Sequence, residues 1–125
     1  MKNKNNLNWN EIRFFKIKEF ECPCCKKVIF DKNLVLKLEL ARELAETPFV
    51  LTSAYRCAVH NEKVGGVRDS SHVKGLAVDI ACTTGEKRLN ILKGLIIAGF
   101  RRIGISKTFI HVDVDLSKPN SLWLY

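Results

Sequence analysis

One carboxylate, Asp79, places the strongest constraint on how this chain can fold. Residues 76–81 alternate in the manner of a strand, and the alternation puts Asp79 on one face with Ala77 and Ala81. Burying a carboxylate among small apolar side chains is costly unless a cation meets it, and the small neighbours leave room for one. The fold is therefore expected to bring cation-binding groups to this strand.

Two of the three histidines can join Asp79. His72 lies at the end of a predicted loop just before the strand, and His111 lies on a later predicted strand over residues 109–114. Two imidazoles and a carboxylate form a three-ligand set that suits Zn²⁺ and leaves a fourth position for water. Asp113 shares a strand face with His111, so it is a candidate general base or a partner that orients a metal ligand.

The periodicity of the sequence predicts a polar leader over residues 1–10 and a single domain over residues 11–125. Asp31 and Thr84 are predicted N-caps of two main helices, and Gly99 is predicted to end the second. The positions expected to be buried are Leu34, Leu38, Ala41 and Ala45 in the first helix and Leu89, Leu92, Leu95 and Ile96 in the second.

The remaining apolar runs predict strands over residues 49–54, 76–81, 102–105 and 109–114. The last two are predicted to form a hairpin, and residues 56–75 are predicted to form a long loop. Together these elements predict an α+β fold in which helices flank a small antiparallel sheet.

The chain is basic, with 21 Lys and Arg residues against 13 Asp and Glu, a net charge of +8 and a pI near 9.4. Such a charge favours anionic partners: nucleic acid, acidic lipid or the acidic polymers of a bacterial cell wall. The first ten residues lack the apolar run of a signal peptide, and no run of about 18 apolar residues predicts a transmembrane segment. We expect a cytoplasmic location, and a monomer.

Five cysteines, an odd number, favour reduced thiols over a closed disulfide framework. Cys22 and Cys25, with Cys57 and His60, have the pair spacing of a zinc ribbon, which in a basic chain raises a nucleic-acid-binding alternative. The two pairs are far apart in sequence, and aromatic residues are not interleaved with basic ones as base stacking requires. A second, structural zinc at these four residues is therefore not expected, nor is nucleic acid as a partner.

Six motifs follow one another along the chain: Ser53-Ala54-Tyr55-Arg56, His60-Asn61, Val64-Gly65-Gly66-Val67, Ser70-Ser71-His72, Gly75-Leu76-Ala77-Val78-Asp79 and Phe109-Ile110-His111-Val112-Asp113. This series resembles the zinc D-Ala-D-Ala carboxypeptidase family, whose peptidoglycan peptidases share their fold with the hedgehog signalling domain. The resemblance covers residues 12 to 116, nearly the whole predicted domain. It implies one catalytic zinc ion, held by His72, Asp79 and His111.

The resemblance also implies roles for residues outside the ligand set. Arg56 would polarise the scissile carbonyl or grip a peptide carboxylate, and its planar charged fork suits either role. Many relatives carry the catalytic base three positions before the last zinc histidine, where this chain has Thr108. Asp113 is then the best replacement, with Asp69 and Glu62 as weaker candidates from the loop.

The function implied by the resemblance is hydrolysis of peptide bonds in peptidoglycan, often next to D-amino acids, by a carboxypeptidase or an endopeptidase. A wall hydrolase that lacks a signal peptide fits a phage endolysin, which stays in the cytoplasm until a membrane pore releases it to the wall. Two alternatives remain open: a zinc-binding interaction domain without turnover, and a nucleic-acid-binding module built on the Cys/His ribbon.

Overall fold

One five-stranded mixed sheet forms the centre of this computed structural model, which describes residues 6–125. The strands are β1 (Leu51–Ser53), β2 (Ala77–Ala81), β3 (Arg102–Ile105), β4 (Phe109–Asp113) and β5 (Ser121–Leu124). Their order across the sheet is β1-β2-β4-β3-β5. The first four strands pair in antiparallel fashion, including the predicted β3–β4 hairpin, whereas β5 runs parallel to β3. The α+β prediction is confirmed, and β5 is the one strand that departs from the predicted antiparallel sheet.

Three α-helices accompany the sheet within the described residues: α1 (Lys32–Ala45), α2 (Ala58–Lys63) and α3 (Gly85–Ile97). Both predicted N-caps are confirmed. The Asp31 carboxylate accepts a hydrogen bond from the backbone N–H of Asn33 at 2.8 Å, and the Thr84 hydroxyl accepts one from Lys87 at 3.2 Å. No helix among these residues has the length and apolar character needed to cross a bilayer.

The loop predicted over residues 56–75 contains the short helix α2, which the sequence did not indicate. Six residues span less than two turns, too few to show a helical period. The predicted strand over residues 49–54 is also shorter, because only Leu51–Ser53 pair with β2. Both differences lie in the segment that leads into the predicted metal site.

Helices α1 and α3 pack against each other and against the sheet. The predicted stripe of α1 is buried as expected, with all four of its residues at most 1% exposed. In α3 the predicted stripe is only partly correct: Leu95 is buried, but Leu89 and Ile96 are exposed, and Ile91 and Gly94 are buried instead. Gly94 lies against α1, and a glycine at a helix contact gives no hydrophobic signal in the sequence.

The N-terminal segment packs against the core through aromatic rings. Trp9 contacts Phe20 and Phe30, with ring centroids 5.8 and 5.3 Å apart, and Phe15 contacts Phe20 and Phe49. Part of the predicted polar leader is therefore in contact with the domain, while residues 1–5 lie outside the described residues.

The close approach of α1 and α3 leads to a prediction about Gly94. A Cβ atom there would lie well inside van der Waals contact of the Ala41 carbonyl oxygen and 2.9 Å from the Ala45 Cβ. We expect Gly94→Ala to lower the free energy of unfolding by about 1–3 kcal/mol, because the two backbones must separate. Urea unfolding measures this change. Gly85→Ala is the matched control, since its Cβ would meet nothing within 4 Å, and equal stability of the two variants would contradict the packing.

Candidate metal centre

Strand register aligns the predicted site in one row across the sheet. Ser53 pairs with Asp79, Asp79 pairs with His111, His111 pairs with Gly104, and Gly104 pairs with Trp123. Directly paired residues project to the same face of a sheet, so these side chains are neighbours. The pairing of β2 with β4 thus places one predicted ligand against another.

A glycine in this row makes room for an aromatic side chain. A Cβ atom on Gly104 would lie 2.5 Å from the Trp123 indole, so only glycine allows the ring to lie across β3. The indole reaches His111, with ring centroids 5.5 Å apart, and the Arg102 guanidinium lies 5.0 Å from the indole centroid. Trp123 therefore forms one wall beside the candidate ligands.

His72 reaches the row from the turn that precedes β2. Its backbone is held by hydrogen bonds from Arg56 and Gly75 to its carbonyl oxygen, at 3.2 Å each. Its ring Nδ1 lies 2.7 Å from the carbonyl oxygen of Ala54. Since a carbonyl can only accept, Nδ1 carries the proton, and Nε2 of neutral His72 is left with a free lone pair.

The ring of His111 is also held through one nitrogen, but here Nε2 contacts the supporting residue and Nδ1 faces the site. Its Nε2 lies 2.7 Å from Oδ2 of Asp113, and its Nδ1 lies 3.0 Å from Oδ1 of Asp79. When Nε2–H donates to Asp113, the lone pair of Nδ1 faces Asp79. Support of this kind from a carboxylate or a carbonyl on the outer nitrogen is usual for metal-binding histidines.

Three acceptor atoms therefore meet at one point. Nε2 of His72 lies 3.2 Å from Oδ1 of Asp79, and all three candidate ligand atoms lie within 4.8 Å of one another. With both imidazoles neutral these acceptors cannot satisfy one another, so the site calls for a cation, which is a metal ion or a second proton on His111. Ligand atoms that share a tetrahedral zinc ion at 2.0–2.2 Å lie about 3.3 Å apart, close to the separations seen here. The donor set and its spacing fit Zn²⁺.

The charges at this point agree with a cation site. Burial raises the pKa of Asp79, but the neighbouring rings of His111 and His72 outweigh it and hold the pKa well below its usual range. Burial lowers the pKa of His111, but the neighbouring carboxylates of Asp113 and Asp79 raise it overall. All three candidate ligands are at most 8% exposed, and Asp79 is a buried charge whose Oδ2 has a positive partner in Arg56 at 3.5 Å while its Oδ1 faces the two histidines.

Asp113 lies behind His111 and is fully engaged by its neighbours. Its Oδ2 accepts from His111, while its Oδ1 accepts from Arg102 Nε at 2.8 Å and from the Asp115 backbone N–H at 3.0 Å. It is 1% exposed. Of the two roles predicted for Asp113, this geometry favours orienting His111 over taking a proton from water.

Arg56 lies at the edge of the site, beside Asp79. Its guanidinium is 3.5 Å from Oδ2 of Asp79 and donates to Ser53 Oγ at 3.1 Å and to Asn61 Oδ1 at 3.0 Å. Asn61 is buried and in turn donates to the carbonyl oxygen of Val67 at 2.8 Å. Asn61, from the His60-Asn61 motif, thus fixes the direction of Arg56.

A third buried carboxylate, Asp115, stabilises the turn that carries His72. Ser71 Oγ donates to it at 2.7 Å, Lys74 Nζ at 3.0 Å, and the Ser117 backbone N–H at 3.0 Å. Burial raises the pKa of Asp115, but the hydrogen bonds from Ser117, Ser71 and Lys74 keep it well below its usual value. Sequence reasoning had not assigned this role to Asp115.

An open cavity of about 410 Å³ lies over the three candidate ligands. Its walls combine cationic and aromatic side chains, which are Arg56, Arg102, Lys118, Phe109, Trp123 and Tyr125. Asp79 and Asp113 are the carboxylates among its lining residues, whereas Asp69 and Glu62 are not among them. Thr108 is exposed and supplies no carboxylate. Trp123 and Tyr125 had not been predicted, because β5 was not.

The other residue groups predicted from the sequence lie apart from this cavity. His60 is on α2 and is not among the candidate ligands. Cys22, Cys25 and Cys57 come together in a cluster of their own, and all five cysteines are free thiols. Cys82 is buried and lies outside this cluster.

A family model described as Peptidase M15 matches residues 9–113. The match covers most of the chain and includes His72, Asp79 and His111 as well as Arg56 and Asp113. A comparison with curated proteins finds no match.

The metal centre leads to a prediction about zinc content. We expect His72→Ala to lose one zinc ion per chain relative to the wild type, because two ligands do not retain the ion. Elemental mass spectrometry of the purified proteins measures the loss. His60→Ala, which removes the histidine outside the site, serves as the control and should keep the wild-type content. Unchanged zinc in His72→Ala would contradict the assignment.

Proposed function

This chain belongs to the peptidase M15 family, and we propose that its substrates are the peptides of bacterial peptidoglycan. The family establishes the general activity, that of a zinc metallopeptidase. The observation that carries the proposal is the meeting of His72, Asp79 and His111 at the floor of an open cavity with Arg56 at its edge. When bound by these three residues, zinc supplies a Lewis acid for a peptide carbonyl and lowers the pKa of a water molecule.

In this proposal Arg56 binds the substrate next to the metal centre. Its side chain is 14% exposed, and Ser53, Asn61 and Asp79 hold its guanidinium in a fixed orientation. A guanidinium in this position can donate two parallel hydrogen bonds to a peptide carboxylate, or stabilise the negative charge that develops on a carbonyl oxygen. Because the orientation exists before substrate binds, little freedom is lost on binding.

Asp113 acts in this proposal through His111. Its Oδ2 accepts the Nε2 proton of His111, which keeps the Nδ1 lone pair directed at Asp79. Arg102 and the Asp115 N–H hold the other oxygen of Asp113, so the carboxylate cannot turn away. Asp113 is thus a positioning residue that fixes the tautomer and the direction of a ligand.

Support for a wall peptide as the substrate comes from charge and from the cavity. The net charge of +8 favours an anionic polymer, and Arg56, Arg102 and Lys118 bring positive charge to the cavity itself. The aromatic walls offer apolar surface to short side chains, and the volume lies within the range of about 300–1,000 Å³ that is usual for ligand pockets. We propose that the enzyme is a phage lysis enzyme that remains in the host cytoplasm until it is released to the wall.

A zinc-binding domain without turnover is the second candidate function. Thr108 occupies the position where many relatives carry an acid, and both oxygens of Asp113 are engaged. Such a domain would bind wall peptides through Arg56 and the zinc ion without cleaving them. The digestion assay below separates the two candidates.

The assay for the proposal is digestion of purified peptidoglycan from several wall chemotypes, with mass spectrometry of the released fragments. We expect the wild type to release peptides or single amino acids and His72→Ala to release none. Arg56→Ala should lower kcat/KM by about 100-fold or more, because a group that stabilises developing charge is lost. The kcat/KM of Arg56→Lys should lie between those of the wild type and Arg56→Ala, since lysine keeps the charge but lacks the planar fork.

Arg101→Ala is the matched control for Arg56, because Arg101 is an exposed arginine outside the cavity. It should retain wild-type activity. Binding of the wall by wild-type protein with no fragment released from any chemotype would favour the non-catalytic candidate. Cleavage of general protein substrates but of no peptidoglycan would contradict the proposed substrate.

The role of Asp113 has its own prediction. We expect Asp113→Ala to weaken zinc binding by about 10–100-fold, as is usual when the partner of a metal-binding histidine is removed. Asp113→Asn should weaken binding less than Asp113→Ala, because its amide oxygen still accepts from His111, although its amide NH2 then faces the donors of Arg102 and Asp115. Competition with a zinc chelator measures both values. If Asp113 is the general base instead, both variants will bind zinc normally and remain inactive when saturated with zinc.

A further inference from the structure

Three of the five cysteines bring their sulfur atoms together outside the cavity. The sulfur atoms of Cys22, Cys25 and Cys57 lie within 4.8 Å of one another, and Cys24 is exposed on the same turn as Cys25. We propose that this cluster binds a structural zinc ion through Cys22, Cys25 and Cys57, with Cys24 as the fourth ligand. The proposal is independent of the proposed function, because none of these cysteines lines the cavity.

The backbone of the turn presents two of these thiols to a common point. Cys22 N–H donates to the carbonyl oxygen of Lys27, and Lys26 N–H donates to that of Cys22, each at 2.8 Å. Lys26 adopts a left-handed conformation with φ of 66°, which closes the turn tightly after Cys25. Two cysteines separated by two residues on such a turn have the usual spacing of paired zinc ligands.

Backbone N–H groups are directed at the sulfur atoms of the cluster. The N–H of Cys57 donates to Cys22 Sγ, and the N–H of His60 donates to Cys57 Sγ, each at 3.4 Å. Burial raises the pKa of the Cys22 thiol, but hydrogen bonds from the N–H groups of Cys57, Cys25 and Cys24 lower it to about 7. Hydrogen bonds of this kind favour the thiolate, which is the form that binds metals.

The crowding of the three sulfur atoms calls for a cation among them. Thiolates within 4.8 Å of one another repel when no cation lies between them. A metal ion removes this conflict, because coordinated thiols are deprotonated outright.

Zinc suits this cluster better than other ions do. Thiolates select soft or borderline ions, and a set of four sulfur ligands favours zinc or iron. Zinc has no redox chemistry, which suits a structural site that joins two segments of chain. The sequence did not lead us to expect a second zinc at Cys22, Cys25, Cys57 and His60. The fold nevertheless brings Cys57 to the turn. The proposal takes Cys24 as the fourth ligand in place of His60, because Cys24 lies on the same turn as Cys25.

The ion would connect the N-terminal segment to the edge of the active site. The turn carrying Cys22 and Cys25 precedes α1, while Cys57 is the N-cap of α2 and directly follows Arg56. An ion shared by the two segments would hold Arg56 in place through Cys57, the next residue in the chain. Structural zinc contributes directly to folding energy, so its removal should loosen this segment.

The test is the zinc and iron content of purified wild type and variants by elemental mass spectrometry. We expect two zinc ions per wild-type chain, one in Cys25→Ser, one in His72→Ala and none in the double variant. Cys82→Ser, which removes the thiol outside the cluster, should keep two. Equal zinc content in Cys25→Ser and Cys82→Ser would overturn the proposal, as would iron in place of zinc or a disulfide within the cluster.

Cobalt substitution provides a second readout that does not depend on the folding of a cysteine variant. In His72→Ala, which retains only the proposed second site, bound Co²⁺ should show thiolate-to-metal charge-transfer absorption. Its absence from folded, cobalt-loaded protein would overturn the proposal. Cys24→Ser should weaken zinc binding at this site by at least tenfold, and His60→Ala should leave it unchanged. Unchanged binding in Cys24→Ser together with weaker binding in His60→Ala would overturn the assignment of the fourth ligand.

Discussion

A buried carboxylate that faces two imidazole lone pairs is the constraint on which the rest of this structure depends. Oδ1 of Asp79 lies 3.0 Å from Nδ1 of His111 and 3.2 Å from Nε2 of His72, and none of the three atoms can donate to the others once the outer nitrogens are protonated. With both imidazoles neutral, a metal ion at the centre satisfies all three atoms. Metal binding and local folding are therefore coupled at this point.

Each ligand is held by a second layer of contacts that the fold supplies. The Ala54 carbonyl fixes His72, Asp113 fixes His111, and Arg102 in turn fixes Asp113. The short segment after β1 contributes to both the metal centre and the cysteine cluster. It places Arg56 beside Asp79 and the next residue, Cys57, beside Cys22. The metal centre and the cysteine cluster thus share one stretch of backbone, and that stretch aligns the residue proposed to bind substrate.

Much of the site could be predicted from the sequence because its signals are local. The Ala77–Asp79–Ala81 alternation marked a buried charge, and the caps Asp31 and Thr84 marked the two long helices correctly. The parts that were missed depend on tertiary contacts. Helix α2 is too short to show a helical period. The buried face of α3 is set by the contact of Gly94 with α1. Strand β5 joins the sheet by pairing in parallel with β3. Trp123 and Asp115 enter the site only through such long-range pairings.

The most direct test of the central claim is a crystal structure of zinc-loaded protein with an anomalous difference map at the zinc absorption edge. The account predicts a peak about 2.0–2.1 Å from both Nε2 of His72 and Nδ1 of His111, with Asp79 as the third protein ligand. A fully loaded crystal with no anomalous peak among these three side chains, or with His111 bound through Nε2, would contradict it.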